Sequence, residues 1–81
     1  MPNKHKVTIF FTKTCPWCHK TMDWLTAHKI KFTSIDVGDD QKALDDMVKK
    51  SNQIGVPVID IDGQIIIGFD EQKLKKALNI K

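Results

Sequence analysis

Cysteine is scarce in this sequence: its 81 residues contain two, Cys15 and Cys18. A lone pair in reducing surroundings is more often catalytic or metal-binding than a static staple. Long apolar runs are missing as well. None approaches the ~18–20 residues that span a membrane. The basic opening Met1-Pro2-Asn3-Lys4-His5-Lys6 is followed by too short an apolar run, and by no small-residue cleavage site, to read as a signal peptide. The expected compartment is therefore the cytoplasm, with no membrane attachment. Basic tracts interleaved with aromatics are absent. The net charge of +3 and pI near 9.0 come from lysines scattered among ten acidic residues, so nucleic acid is not an expected partner. An acidic partner surface or an anionic small molecule suits that charge better. With no repeat, low-complexity tract or linker, residues 1–81 read as one small domain of modest stability.

What is present alternates between two periodicities. Residues 6–12 are β-branched and aromatic and too short for a helix, which predicts a buried strand. Residues 16–29 turn helical. Pro16 suits the first helical position, where no amide donor is needed. Cys18, Met22 and Leu25 form one stripe, and Trp17, Thr21 and Trp24 an adjacent one. Met22, Trp24 and Leu25 are expected in the core. A second strand is expected over 30–37, carrying Phe32, Ile35 and Val37. After the break at Gly38-Asp39-Asp40, the spacing of Ala43, Leu44, Met47 and Val48 predicts a helix over 40–51. A helix between two such strands makes a βαβ unit with parallel strands. A third strand is expected over 56–61. Asp62-Gly63 is a type I′ hairpin signal, and residues 64–67 return antiparallel. Gly68 ends that strand. Asp70 caps a last helix, with Phe69 and Leu74 placed as a hydrophobic staple. The order β-α-β-α-β-β-α implies an α/β fold, a four-stranded mixed sheet with helices on both faces.

The spacing Cys15-Pro16-Trp17-Cys18 suits zinc or redox chemistry. Zinc would need two further ligands, and neither a second Cys-x-x-Cys nor a paired histidine motif is present. No metal ligand set is therefore assigned, and a metal-binding module using both cysteines stands as the alternative of another class. His5, His19 and His28 are expected on the surface. With a strand before it and a helix opening at Pro16, Cys15 becomes an N-cap. Its sulfur can accept from the amides of Trp17 and Cys18 at the positive end of the helix dipole, which favours the thiolate. Lys13 and Lys20 add positive potential. Cys18, one turn further in, is expected to be more buried and less ionised. Trp17 offers an exposed stacking surface. Asp70 and the start of the last helix suit an anion or amine group, plain capping being the simpler role. The Val56-Pro57 bond, at the mouth of a strand, is open to either isomer.

Three features in the right order, Cys15-Pro16-Trp17-Cys18 after the first strand, Val56-Pro57 before the third and Gly68-Phe69-Asp70 before the last helix, resemble the glutaredoxin-like family in its short form. That form includes the redoxins that serve ribonucleotide reductase. The resemblance covers residues 6–80 and implies the minimal thioredoxin-like fold. It also implies an electron carrier that reduces protein or mixed disulfides, with Cys15 as nucleophile and Cys18 as resolving thiol. Pro16, Trp17 and a cis Pro57 would support the site. Lys13, Trp17, Val56, Pro57, Gly68, Phe69 and Asp70 would bind substrate or glutathione. No bound cofactor is implied. The partners are disulfide-containing proteins and either glutathione or a thioredoxin-reductase-type flavoenzyme as reductant, and the protein is expected to act as a monomer. Two positions depart from the family pattern: Gly55 replaces a threonine before Val-Pro, and Ile67 the first of two glycines. Both lie where the family binds glutathione, so weak or absent glutathione use is expected. Asp60 also stands where the family usually carries an apolar residue, and is expected to be solvated near a strand end.

Overall fold

A computed structural model of the chain describes residues 6–79. His5 and both ends of the expected 1–81 domain lie outside the described residues. The elements run β1 (Val7–Phe11), α1 (Pro16–Ala27), β2 (Thr33–Asp36), α2 (Gln41–Ser51), β3 (Val58–Ile61), β4 (Gln64–Ile67) and α3 (Glu71–Leu78). The sheet order is β2-β1-β3-β4. This is the expected element order and four-stranded mixed sheet.

Alternation along the strands divides the core in two. Ile9, Ile59, Ile61 and Ile66 pack with Leu25 of α1 and with Leu74 and Leu78 of α3. Phe10 and Val58 point to the other face and pack with Met47 of α2 and with Val37. The strands are therefore apolar on both sides. Local signals set the ends of the elements. Asp62 and Gly63 both have positive φ, 53° and 93°, as a type I′ turn requires. Helix α1 stops at Ala27, two residues before the expected end. Lys29 turns left-handed there, and the Lys29 and Ile30 amides donate to the Thr26 and Leu25 carbonyls at 3.0 and 2.9 Å, a Schellman closure.

Several expectations need correction. Strand β2 is four residues, not eight, because Ile30 and Phe32 leave the ladder and pack from the preceding loop onto the core instead. The stripe of α1 that faces the sheet is Cys18, Thr21 and Leu25, while Met22 and Trp24 are only partly buried. Thr21 can be fully buried because its hydroxyl donates to the Trp17 carbonyl at 2.7 Å. The βαβ arrangement holds for β1-α1-β2, whose strands pair in parallel, but not for β2-α2-β3. Strand β2 leaves the sheet with Asp36 beside Phe11, and β3 enters at that same end with Val58 beside Phe10, so β3 runs antiparallel to β1. Asp60 is not a freely solvated strand end. It sits between Thr8 and Ile65 in the ladder, on the α2 face. Its carboxylate accepts from the Gly63 amide at 2.8 Å and meets the Lys50 ammonium at 3.3 Å.

Candidate active site

The site forms where β1 hands over to α1. The Cys15 amide donates to the Thr12 carbonyl at 3.2 Å, turning the chain after the strand. Cys15 then caps the helix in an extended conformation, φ −95° and ψ 106°, with Pro16 following at the first helical position. The Cys18 amide donates to Cys15 Sγ at 3.1 Å. The expected second donor, the Trp17 amide, is not engaged by the sulfur among the described hydrogen bonds. A cap side chain closes on the third amide of the first turn, and here that is Cys18. Cys15 is partly exposed, whereas Cys18 is fully buried.

Burial pushes the Cys18 thiol up to about 12, well above an ordinary thiol. Its hydrogen bond to Cys15 and the nearby Cys15 charge add to this, and a hydrogen bond with the Thr12 backbone opposes it. The two sulfurs thus have different environments: one at a helix start and partly open, the other dry and held protonated.

Val56 and Pro57, which follow α2 in the chain, come close to Cys15. The bond between them is cis. The Val56 carbonyl lies 3.9 Å from Cys15 Sγ. Pro57 is buried, and its carbonyl accepts from the Gly68 amide at 2.8 Å. Gly68 takes φ 78°, the left-handed turn that carries the chain out of β4. Trp17 is 56% exposed and stacks on Phe69 at a centroid distance of 6.3 Å. Trp17, Val56, Pro57, Gly68 and Phe69 line a shallow groove of about 260 Å³. Phe69 is backed edge-on by Trp24, whose indole N–H donates to Glu71 at 2.8 Å.

Two of the residues expected to bind substrate have partners of their own, and for Asp70 this is the expected cap. The Lys13 ammonium faces Asp39 at 3.1 Å and Asp36 at 3.8 Å, away from the groove lining. The hydrogen bond to Asp39, and the charges of Asp39 and Asp36, hold its pKa above the ordinary lysine value. Lys13 also balances Asp36 Oδ2, which is buried without a hydrogen-bond partner. Asp70 caps α3, its carboxylate accepting from the Lys73 amide at 3.2 Å. Lys20 lies 5.1 Å from the centre of the Trp17 ring, a cation–π contact beside the groove.

Sequence reasoning did not anticipate the bracing behind these residues. His19 is exposed, as expected, yet its Nε2 lies 2.9 Å from the Lys13 carbonyl and ties the cysteine loop to the first turn of α1. Glu71 supports Trp24 and, through it, Phe69. Gln53 clamps the residue before Val56. None of the three carries a periodicity or motif. A separate charged cleft of about 440 Å³, lined by Lys6, Lys50, Asp46 and Asp60 among others, lies between α2 and the sheet, away from both cysteines. Among the described residues, no cluster of three or more His, Cys, Asp or Glu side chains is placed to hold a metal ion. No helix among them is long and apolar enough to cross a membrane.

Comparison with known proteins points the same way. A family model described as Glutaredoxin matches residues 7–66. A glutaredoxin-like 8.6 kDa protein in the rubredoxin operon of Clostridium pasteurianum is 44% identical over 72 residues, covering 89% of this chain and 96% of that protein. Glutaredoxin 3 of Escherichia coli (strain K12) is 32% identical over 65 residues, covering 80% and 78%. The crystal structure of a glutaredoxin from Archaeoglobus fulgidus superposes with a TM-score of 0.83 at 24% identity, covering 93% of this chain and 87% of that one, a likeness of fold.

Proposed function

The chain belongs to the glutaredoxin family of thiol–disulfide oxidoreductases, and from that premise we propose that it is a dithiol electron carrier in which Cys15 attacks and Cys18 resolves. The observation that carries this division of labour is the Cys18 amide on Cys15 Sγ at 3.1 Å, with the Cys18 thiol itself buried behind it. Cys15 Sγ, at the helix start and partly exposed, is the sulfur a substrate disulfide can reach, and the thiolate is the attacking species. Cys15 Sγ bonds to one sulfur of a substrate disulfide. The other sulfur leaves as a thiolate and takes a proton from solvent. Once Cys15 is in that mixed disulfide, it can no longer offer Cys18 a charge or the same hydrogen bond. Two of the three influences that hold the Cys18 proton then disappear, leaving burial alone. Cys18 Sγ then attacks Cys15 Sγ, and its proton goes to the substrate thiolate that departs. The second substrate sulfur departs, and an internal disulfide is left behind. Two electrons from an external reductant restore the dithiol.

The Val56 carbonyl, 3.9 Å from Cys15 Sγ, supports backbone pairing with a substrate peptide beside the sulfur, and Trp17 and Phe69 supply an apolar wall for it. We read the substrates as protein or mixed disulfides, and the protein as a cytoplasmic monomer of one domain. Glutathione use is weak in this reading. Gly55 and Ile67 stand where the family pattern has a threonine and the first of two glycines, the places at which the family binds glutathione. A flavoenzyme of the thioredoxin-reductase type is then the reductant. The metal-module alternative would use Cys15 and Cys18, half of a zinc set, and among the described residues no third ligand is grouped with them.

Cys18→Ser should accumulate mixed disulfides with a disulfide substrate, seen as an added mass on Cys15, and Cys15→Ser should form none. No trapped species with Cys18→Ser would reject the cycle. Supplying NADPH with either glutathione and its reductase, or thioredoxin reductase, then identifies the reductant by which system turns over a model disulfide.

A further inference from the structure

With the Gln53 carboxamide where it lies, Gly55 has no room for a side chain, although its backbone would permit one. Among the described glycines only Gly63 and Gly68 have positive φ, so any residue can adopt the Gly55 backbone. A Cβ built there would lie 2.7 Å from Gln53 Oε1, and apart from its chain neighbours only Gln53 comes within 4 Å. The Gln53 carboxamide is in that space because it holds both polar groups of Gly55. Gln53 Oε1 accepts from the Gly55 amide at 2.7 Å, and Gln53 Nε2 donates to the Gly55 carbonyl at 2.9 Å.

The clamp is itself anchored. Gln53 Nε2 lies 3.4 Å from Ser51 Oγ, and that hydroxyl is shared between the Met47 carbonyl at 2.7 Å and the Gln53 carbonyl at 3.0 Å. A chain of hydrogen bonds therefore runs from the last turn of α2 to the residue that precedes Val56. Val56 itself is left open. Its carbonyl has only the long contact to Cys15 Sγ, and no hydrogen bond among the described residues engages its amide. An incoming extended peptide finds the polar groups of Gly55 occupied and those of Val56 free, so only one pairing register is available.

We propose that Gln53 is a positioning residue: by clamping Gly55 it fixes the register in which a disulfide-bearing peptide pairs with Val56, and Gly55 lacks a side chain so that the clamp can close. The inference rests on the oxidoreductase reading above and deepens it. The peptide's cystine is thereby held in line with Cys15 Sγ.

The test is single-turnover reduction of a disulfide-bonded peptide by the reduced protein. Half-saturating concentration and limiting rate are read against peptide concentration, beside the rate with hydroxyethyl disulfide, which has no backbone to pair. Gln53→Ala should raise the half-saturating concentration about five- to tenfold, the worth of roughly one hydrogen bond. The limiting rate and the small-disulfide rate should hold, which also shows the variant folded. Gly55→Ala should reproduce the Gln53→Ala shift, because its Cβ evicts the carboxamide, and the double variant should be no worse than either single. Gln53→Glu, which keeps the acceptor and loses the donor, should fall between. A wild-type half-saturation in Gly55→Ala, or a double variant whose shift is the product of the singles, would overturn the inference. A wild-type protein inert towards both disulfides would overturn the oxidoreductase reading and this inference with it.

Discussion

The buried Cys18 thiol gives the reduced protein an alkaline weakness that an ordinary cysteine would not. Its pKa is pushed up from 9.0 to about 12, first by burial and then by Cys15. A folded pKa above the unfolded one means that the native state binds this proton more tightly. The resulting stability is fully present below pH ~9 and is lost as pH rises through ~12. Three pH units at about 1.4 kcal/mol each set a ceiling of about 4 kcal/mol, of which nearly 3 should be gone by pH ~11. That is a large share of the ~5–15 kcal/mol that holds a domain together. Lysines titrate in the same range, Lys13 and Lys50 with raised pKa values among them, so the wild-type curve alone is not decisive. Cys18→Ala supplies the reference. It keeps the lysines and removes the thiol, at a roughly pH-independent cost of about 1 kcal/mol for the lost packing. Urea unfolding of both proteins under reducing conditions, in unit steps from pH ~8 to ~11, reads the difference. The wild type should be the more stable at the lower end and the less stable at the upper. Parallel curves would mean that the folded protein does not hold this proton, and the argument for a protonated resolving thiol would fall.

The same protonation predicts selectivity. With its proton held by burial, Cys18 is far less ionised at pH ~8 than an ordinary thiol, so brief iodoacetamide treatment of the reduced protein should label Cys15 alone by peptide mass spectrometry. Gly68→Ala should cost about 1–2 kcal/mol in thermal or urea unfolding. A Cβ there meets nothing within 4 Å, so that cost is purely the φ of 78°. Asp60→Asn can keep the Gly63 amide bonded while losing the Lys50 ion pair. It should therefore cost no more than about 1 kcal/mol in urea unfolding, and less at high salt, because the Lys50 side chain is 39% exposed.

How much of this was legible depended on how far apart in the chain the deciding atoms lie. Pro16 at the helix start, the Asp62-Gly63 turn and the Asp70 cap were readable because each is settled within four residues by backbone preference and a short side chain. The two-sided core was readable from the apolar strands, because an apolar strand must be covered on both faces. Two disagreements came from tertiary context. Asp60 looked solvated until Lys50, ten residues away, was brought over it. Thr21, read on the stripe adjacent to that of Cys18 and Leu25, is buried with them, which the packing of α1 decides.

Sequence alone determined the elements, their order and the identity of the reactive pair, since a strand, a proline-led helix and two cysteines one turn apart are local facts. It also marked Gly55 as unusual. Only the tertiary structure decided the direction of β3, the approach of Val56 to Cys15 and the closing of Gln53 over Gly55. The first two join segments 41 or more residues apart, through contacts that no local preference encodes. The Gln53 clamp, though only two residues long, depends on a long side chain choosing one rotamer against a surface that exists only once the chain has folded.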